Sequence, residues 1–196
     1  TENFFKFLKI PIKIKKNKNY DFIEIEGKKN FKAFNYNIPS DISSSAFFIV
    51  LTLLAKNSSL IIKNVNINPS RTGSIKILNK MGANIKFKNV KTYRGEKIAD
   101  IYVKSVKYLK AINCPSKLNS SAIDEFLIIF IAAARAKGIS YFKNLSELNQ
   151  KESPRLILGN KLLNKLGVKT LMNNNSIKIY GNPNYRFKKQ IEIKNF

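Results

Sequence analysis

A lysine, a glutamate and an arginine lie within five positions, as Lys151, Glu152 and Arg155, next to a predicted helix. Ser153 suits the N-cap of that helix, and Pro154 suits its first position, where the missing N–H of proline costs nothing. Anions bind readily at the positive end of a helix dipole. Two cations beside a proton-donating carboxylate predict a site for a phosphorylated or carboxylated substrate. The pattern alone also fits a solvated helix end, where exposed charges contribute little.

Asp124 is a second candidate, in the segment 119–126. Ser121 as N-cap, with Asp124 three positions later, predicts a capping box and a structural role for the carboxylate. An internal repeat favours another interpretation, because the first copy has Ser44 where the second has Asp124. The functional hypothesis is a carboxylate that accepts a proton from a substrate hydroxyl.

Other reactive residue types give weaker signals. Residues 68–73 predict a turn and a helix start, with Arg71 as a possible anion contact. Cys114 precedes Pro115 in an extended turn and fits a partly buried structural cysteine, with a reactive thiol as the alternative. The sequence contains no histidine, no cysteine spacing that would hold a metal and no glycine-rich phosphate loop.

The chain is strongly basic, with 36 Lys and Arg against 12 Asp and Glu and a net charge of +24. Nucleic-acid binding is the first interpretation of such a charge. The cations are mostly lysines spread along the chain, and Lys, Asn and Ile together are typical of AT-rich codons. The second interpretation is therefore a solvated surface whose many lysines reflect the base composition of the genome. Under either interpretation the positive field would attract a phosphate-rich substrate.

The remaining composition bounds the class of protein. With 44% hydrophobic residues the chain can build a core. A single cysteine allows no internal disulfide and fits a reducing cytoplasm. No apolar run reaches the ~20 residues of a membrane span. The first residue is Thr1 and not methionine, and we expect the sequence to be cut from a longer chain.

The sequence repeats itself with a period of about 80 residues. Each copy has a Pro-Ser dipeptide, an apolar helix, a β-type run, a helix ending in Asn-Lys-X-Gly and a pair of strands. The segments are 38–40, 46–54, 59–65, 78–82 and 84–88 with 100–103 in the first copy, and 114–116, 126–134, 139–145, 163–167 and 168–172 with 176–180 in the second. Each copy predicts β-α-β-α-β-β, with helices inside and sheets around them. A third copy would begin at Asn182.

The chain resembles the bacterial subgroup of the EPSP synthase (3-phosphoshikimate 1-carboxyvinyltransferase) family. The matching segments occur in the family's order and spacing and cover nearly the whole chain. They are residues 39–48, 68–73, 80–85, 95–100, 122–126 and 147–155.

The resemblance implies an α/β fold of repeated βαβαββ units that form an inside-out α/β barrel, incomplete in this chain. Residues 1–35 would end a first domain, and residues 36–196 would form part of a second. The second would contain two units, at about 36–112 and 113–181, and the start of a third.

The resemblance also implies a reaction. The enolpyruvyl group of phosphoenolpyruvate moves to the 5-hydroxyl of 3-phosphoshikimate and phosphate is released, in the shikimate pathway to chorismate and aromatic amino acids. The reaction passes through a tetrahedral adduct and needs no metal and no organic cofactor. A cytoplasmic enzyme, monomeric when complete and with no membrane or specific nucleic-acid partner, is the expectation.

Carried over by position, four residues receive roles from the family. Asp124 would bind the shikimate hydroxyls and accept the proton, and Lys151 would contact the phosphoshikimate. Glu152 would protonate the methylene carbon of phosphoenolpyruvate, and Arg155 would bind that substrate. These roles combine general acid–base catalysis with electrostatic stabilisation.

The chain departs from the family pattern in several places. Pro154 stands where the family usually has Asp, Asn149-Gln150 where it has Arg-Val, and Ser40 where it has Gly. The family's Lys-Ser start, later Asp-His-Arg segment and last lysine fall outside these residues, so we expect the segment alone to be inactive.

Three alternatives stay open at this point. One is the related UDP-N-acetylglucosamine enolpyruvyl transferase, which uses a loop cysteine, whereas Cys114 lies at a repeat start. The second is a basic nucleic-acid-binding protein, with weak and steeply salt-dependent binding to polyanions. The third is an inactive remnant of an enzyme.

Overall fold

The computed structural model describes residues 2–27, 30 and 32–187, and within them it has five α-helices and nine strands. The helices are α1 (Glu2–Phe7), α2 (Ile42–Leu54), α3 (Gly73–Lys80), α4 (Phe126–Ala134) and α5 (Arg155–Lys165). The strands are β1 (Ile12–Lys16), β2 (Asp21–Ile25), β3 (Ser59–Asn66), β4 (Asn84–Tyr93), β5 (Glu96–Lys104), β6 (Leu109–Lys110), β7 (Ala136–Lys143), β8 (Thr170–Asn173) and β9 (Ser176–Gly181). Short 3₁₀ turns cover Ser116–Leu118, Ser120–Ala122 and Ser146–Asn149.

Two sheets with the same strand order reproduce the repeat. The first has the order β3-β5-β4, extended next to β3 by a parallel bridge between Ser40 and Val65. The second has the order β6-β7-β9-β8, with β6 parallel to β7. The other pairings in both sheets are antiparallel. Both copies therefore have the predicted order β-α-β-α-β-β, with the first strand of the first copy reduced to one bridge.

Both sheets pack against one shared group of helices, as the sequence predicted. Helix α2 packs on β3 and β5, and α4 packs on β7 and β9 and also contacts α2, α3 and α5. Phe126 and Phe130 of α4 form a fully buried aromatic cluster with Phe142 of β7. Both sheets are open at their edges, and the described residues contain no closed barrel.

One side of the helical layer remains apolar and accessible. Phe47, Phe48 and Leu51 of α2 are 60%, 59% and 66% exposed, which is unusual for a contiguous apolar face. None of the described helices has both the length and the apolar character needed to cross a bilayer. The predicted third copy depends on residues 188–196, which lie outside the described residues, and it stays a prediction.

Aromatic side chains attach the N-terminal segment to the first copy. β1 and β2 form an antiparallel hairpin, in which Ile12 pairs with Ile25. The Phe4 ring of α1 packs edge-on against Tyr36, with centroids 5.2 Å apart, and Tyr36 lies 5.4 Å from the Tyr93 ring at the end of β4. The predicted division of the chain at residue 35 stays a prediction.

Asp100 of β5 stabilises bulges in both neighbouring strands. Its carboxylate accepts hydrogen bonds from the backbone N–H of Asn64 at 3.0 Å and from the side chains of Asn89 at 2.8 Å and Lys63 at 3.0 Å. Asn64 and Asn89 have positive φ angles of 50° and 52° and lie at the register shifts of β3 and β4. These hydrogen bonds, chiefly that of Asn64, lower the pKa of Asp100 to about 2.

We expect Asp100→Asn to lower the midpoint of thermal unfolding at pH 7 by a few degrees. The folded-state pKa is depressed, so the stabilisation is complete above the unfolded-state value of about 3.9 and is lost as the pH falls toward 2. Unfolding scans between pH 7 and pH 2 should therefore show a difference that shrinks below pH 4. Asp21→Asn, the same charge change at an exposed position of β2, is the control. A difference that stays constant down to pH 2 would contradict this role.

Candidate active site

The carboxylate of Asp124 lies between three cationic side chains. Its Oδ1 atom is 3.2 Å from Nη1 of Arg155 and 3.7 Å from Nζ of Lys151, and its Oδ2 atom is 3.5 Å from Nη2 of Arg71. About a third of the Asp124 side chain, 33%, is exposed. The structure thus brings Asp124 together with Lys151 and Arg155, and also with Arg71, the possible anion contact in residues 68–73.

Asp124 lies in an irregular turn before α4. Residues Ser120–Ala122 form a 3₁₀ turn and α4 begins only at Phe126. The Ser121 hydroxyl donates to the backbone carbonyl of Leu118 at 3.0 Å. The predicted capping box is wrong, because 3₁₀ turns replace the first turns of the expected helix. The Asp124 side chain is therefore not used as a helix cap and faces the cations.

A close approach of Gly73 to Ser121 positions Arg71. A Cβ atom on residue 73 would lie 2.5 Å from the carbonyl carbon of Ser121, a distance that only glycine avoids. The start of α3 can therefore pack directly against the 3₁₀ turn that precedes Asp124. Arg71 lies two residues before Gly73, so the contact between Gly73 and Ser121 places the Arg71 guanidinium close to the Asp124 carboxylate.

An upstream asparagine caps α5. Helix α5 begins at Arg155, with Pro154 at the N-cap in a non-helical conformation (φ −73°, ψ 75°) and no side-chain cap of its own. The Oδ1 atom of Asn149 accepts the backbone N–H groups of Leu156 at 3.1 Å and Ile157 at 3.3 Å. The predicted cap at Ser153 is therefore wrong, since a folded-back amide satisfies these donors instead.

The C-terminal end of α5 agrees with the sequence. Helix α5 ends at Lys165, and Gly167 follows with a φ of 87°. The N–H of Val168 bonds back to the carbonyl of Leu163 at 2.9 Å. This left-handed ending is the one for which glycine is favoured.

We expect Asn149→Ala to destabilise the protein by about 1 kcal/mol, because two helix N–H groups lose their acceptor. Denaturant unfolding measures this loss. Asn149→Asp should restore the stability, since a carboxylate accepts the same bonds and suits the positive end of the helix. Equal stability of the wild type and the alanine variant would show that water replaces the cap.

Glu152 is connected to Asp124 through Arg155. Its Oε2 atom accepts a hydrogen bond from Nη2 of Arg155 at 2.8 Å, and its side chain is 81% exposed. Its own backbone N–H, and then the Arg155 guanidinium, lower the pKa of Glu152. In this arrangement Glu152 is a carboxylate at neutral pH, and Arg155 bridges the two acidic groups.

The cluster can bind anions and move protons. Three cations (Arg71, Lys151 and Arg155) and two carboxylates (Asp124 and Glu152) leave a net charge of 3 − 2 = +1. The N-terminal end of α5 adds a partial positive charge. Carboxylates beside fixed cations are suited to general acid–base catalysis and to stabilising developing negative charge. Among the described residues, no group of three or more His, Cys, Asp and Glu side chains is placed to hold a metal ion.

Arg71 also borders a cavity of about 430 Å³ between the N-terminal segment and the first copy. Asp41, Tyr36 and Glu96 contribute to its other walls. Asp124 and the α5 residues do not line this cavity. The cluster around Asp124 therefore lies beside this cavity, and Arg71 belongs to both.

The repeat contains a signal for Arg71 that the sequence interpretation did not use. Helices α3 and α5 end alike, at Gly82 and Gly167. Arg71 precedes Gly82 by 82 − 71 = 11 positions, and Arg155 precedes Gly167 by 167 − 155 = 12. Equivalent helices of the two copies thus each begin close to an arginine, and the two arginines approach opposite oxygens of Asp124.

Cys114 lies outside the cluster. It is 4% exposed, and burial raises the pKa of its thiol to about 11. A thiol with so high a pKa contains very little thiolate at neutral pH. These properties favour the structural interpretation over the reactive one.

Comparison with known proteins gives a consistent family. The sequence model of EPSP synthase (3-phosphoshikimate 1-carboxyvinyltransferase) matches residues 1–191. A 3-phosphoshikimate 1-carboxyvinyltransferase of Petrotoga mobilis is 42% identical over 158 residues, which are 81% of this chain and 36% of that protein. One of Ruthia magnifica is 41% identical over 181 residues, 92% of this chain and 40% of that protein. The chain spans about two fifths of the length of these relatives.

Solved structures agree with the sequence relatives. An EPSP synthase from Acinetobacter baumannii superposes with a TM-score of 0.83 at 36% identity, over 92% of this chain and 40% of that one. The enolpyruvyl transferase NikO from Streptomyces tendae shares the fold, with a TM-score of 0.58 at 14% identity, over 88% of this chain and 37% of that one. The family match and these relatives cover most of the chain, and the chain belongs to the EPSP synthase (3-phosphoshikimate 1-carboxyvinyltransferase) family.

Proposed function

We propose that the full-length protein transfers the enolpyruvyl group of phosphoenolpyruvate to the 5-hydroxyl of 3-phosphoshikimate. The products are 5-enolpyruvylshikimate 3-phosphate and phosphate, and the reaction belongs to the shikimate pathway. Within that protein, residues 1–35 end a first domain, and residues 36–196 form part of a second. The observation that carries the proposal is the Asp124 carboxylate between three cations, with Glu152 on the same arginine.

Asp124 is the proposed proton acceptor. As the 5-hydroxyl oxygen bonds to C2 of phosphoenolpyruvate, the hydroxyl proton passes to the Asp124 carboxylate. Its partial exposure supports this role, because a third of the side chain remains accessible to a substrate. The flanking cations hold the carboxylate in place while a hydroxyl approaches.

Lys151 and Arg155 are the proposed anion ligands. Their side chains are 28% and 25% exposed, so each keeps a surface for a ligand while it pairs with Asp124. Lys151 contacts the phosphoshikimate, and Arg155 binds phosphoenolpyruvate, whose planar carboxylate or phosphate suits a guanidinium fork. The net positive charge of the cluster supports binding of two anionic substrates.

Glu152 is the proposed proton donor to the methylene carbon of phosphoenolpyruvate. Protonation there completes the tetrahedral adduct, and loss of a proton from the same carbon accompanies the departure of phosphate. A donor needs a pKa near the working pH, whereas Arg155 lowers the pKa of Glu152. Binding of phosphoenolpyruvate to Arg155 competes with this pairing and removes water, and both changes raise the pKa of Glu152.

The remaining properties follow from the same proposal. The protein acts in the cytoplasm as a monomer, without a metal, an organic cofactor or a specific nucleic-acid partner. The net charge of +24 then attracts anionic substrates and does not serve sequence-specific binding of a nucleic acid.

Phosphate release by the purified full-length protein tests the proposal. Release that requires both phosphoenolpyruvate and 3-phosphoshikimate, with one phosphate for each enolpyruvyl product, is the expected result. The 196-residue chain assayed alone should be inactive. A folded full-length protein that releases no phosphate but binds DNA in a salt-dependent way would instead support the basic-protein alternative.

A further inference from the structure

A chain of polar contacts leads from a buried carboxylate to Asp124. Glu125 is 3% exposed, and its Oε1 atom accepts a hydrogen bond from the Ser43 hydroxyl at 2.5 Å. The Ser43 oxygen accepts a hydrogen bond from Nη2 of Arg71 at 2.8 Å, and this nitrogen lies 3.5 Å from Oδ2 of Asp124. None of the roles that the family resemblance gives falls on Ser43, Arg71 or Glu125.

The direction of these bonds is fixed by chemistry. A guanidinium only donates and an ionised carboxylate only accepts, whereas a hydroxyl does both. Ser43 is therefore suited to link Arg71 to Glu125, and an alanine at this position would leave both without the link. The buried carboxylate keeps the hydroxyl proton turned away from Arg71, so that the oxygen lone pairs face the guanidinium.

The chain connects the two copies of the repeat. Ser43 lies in the first turn of α2 and Arg71 lies before α3, both in the first copy, whereas Asp124 and Glu125 lie in the second. The Arg71 side chain is 48% exposed, and an arginine so exposed has many rotamers available to it. In the rotamer that the structure shows, Nη2 of Arg71 contacts both Ser43 and Asp124.

Glu125 has charged neighbours on several sides. The pKa of Glu125 is raised, chiefly by burial and also by the charges of Asp124 and Asp41, while the Ser43 hydrogen bond and the charge of Arg71 oppose this shift. Arg71 is the cation among these neighbours. The two residues therefore depend on each other: Glu125 orients Arg71 through Ser43, and Arg71 favours the ionised form of Glu125.

We propose that Ser43 and Glu125 are positioning residues that hold the Arg71 guanidinium against Asp124. Neither needs to touch a substrate, and both act through Arg71 on the placement of the proton acceptor. This inference rests on the proposed function, since it assigns a role in the same proton transfer. It adds Ser43, Arg71 and Glu125 to the residues that serve the proton transfer.

The test is a double-mutant cycle in the full-length protein. The wild type must first show enolpyruvyl transfer, and its failure to do so would overturn the proposed function and not this inference in particular. With an active wild type, Ser43→Ala should lower kcat roughly tenfold, the effect of losing one hydrogen bond to a charged group. The KM for phosphoenolpyruvate should change less than twofold. Ser43→Thr keeps the hydroxyl and should recover most of the activity.

The second arm of the cycle separates positioning from packing. In an Arg71→Met background, Ser43→Ala should have no further effect on kcat, because its route of action is already removed. Ser45→Ala is the matched control: this buried hydroxyl of the same helix donates to the backbone carbonyl of Asp41 at 2.7 Å, and its loss should leave kcat unchanged. Equal losses in both serine variants, fully multiplicative effects of Ser43 and Arg71, or wild-type kcat in Ser43→Ala would each overturn the inference.

Discussion

Replacing Asp124 with asparagine in the full-length protein is expected to lower kcat for phosphate release by roughly 10²–10⁴-fold, the range of a lost general base. Asparagine keeps the shape of the side chain but cannot accept the proton of the 5-hydroxyl. The variant also removes the negative charge that orders Arg71, Lys151 and Arg155. Steady-state kinetics with both substrates measures the effect.

Stability should change far less than turnover in the Asp124→Asn variant. The carboxylate is partly exposed, and ion pairs in contact with solvent contribute little to the free energy of unfolding. Asp21→Asn makes the same change in net charge at an exposed position of β2 and should retain wild-type kcat. Near-wild-type turnover in Asp124→Asn would refute the role of proton acceptor.

The elements of the fold were predictable where one face of each is buried. The β-type run at 59–65 became β3, and the apolar run at 126–134 became α4 with the same limits. Period-two alternation in strands and continuous apolar helices are local consequences of burial, so they can be recognised in a single sequence. The internal repeat then extended these assignments, because the second copy follows the same order.

Helix starts were less predictable, because their partners come from elsewhere in the chain. Ser121 has the residue type of an N-cap, yet residues Ser120–Ala122 form a 3₁₀ turn in which Ser121 packs against Gly73 of the first copy. Ser153 likewise has the type of a cap, but Asn149 folds back to the helix N–H groups. A short-range pattern cannot show which of several possible acceptors the tertiary structure brings into position.

Only the part of the candidate site whose residues are close in the sequence could be predicted, because the other residues come together through tertiary packing. Lys151, Glu152 and Arg155 lie close together in the sequence, so their grouping could be inferred. Arg71 lies more than 50 residues before Asp124 and reaches it only because α3 packs against the turn before α4. A role for Glu125 could not be predicted from the sequence, because it depends on the burial of the side chain and on its hydrogen bond with Ser43.

Replacing Glu152 with glutamine is the second substitution with a large expected effect, a fall in kcat of roughly 10²–10³-fold. The side chain is exposed in this structure, so the unfolding midpoint should stay at the wild-type value. Glu147→Gln, the same change at an exposed position five residues upstream, should leave kcat unchanged. Wild-type kcat in Glu152→Gln would exclude Glu152 as the proton donor.

The pH dependence gives an independent test of the same residue. A proton donor is active only while protonated, so kcat should fall as the pH rises through its pKa in the substrate complex. In the free protein the backbone N–H of Glu152 and the Arg155 guanidinium lower the pKa of Glu152. When phosphoenolpyruvate takes Arg155, the lowering contribution of the guanidinium is lost, so the alkaline fall in kcat should lie at higher pH than the titration of Glu152 in the free protein. Glutamine at position 152 should abolish this alkaline fall, whereas a profile unchanged by the substitution would assign the proton to another group.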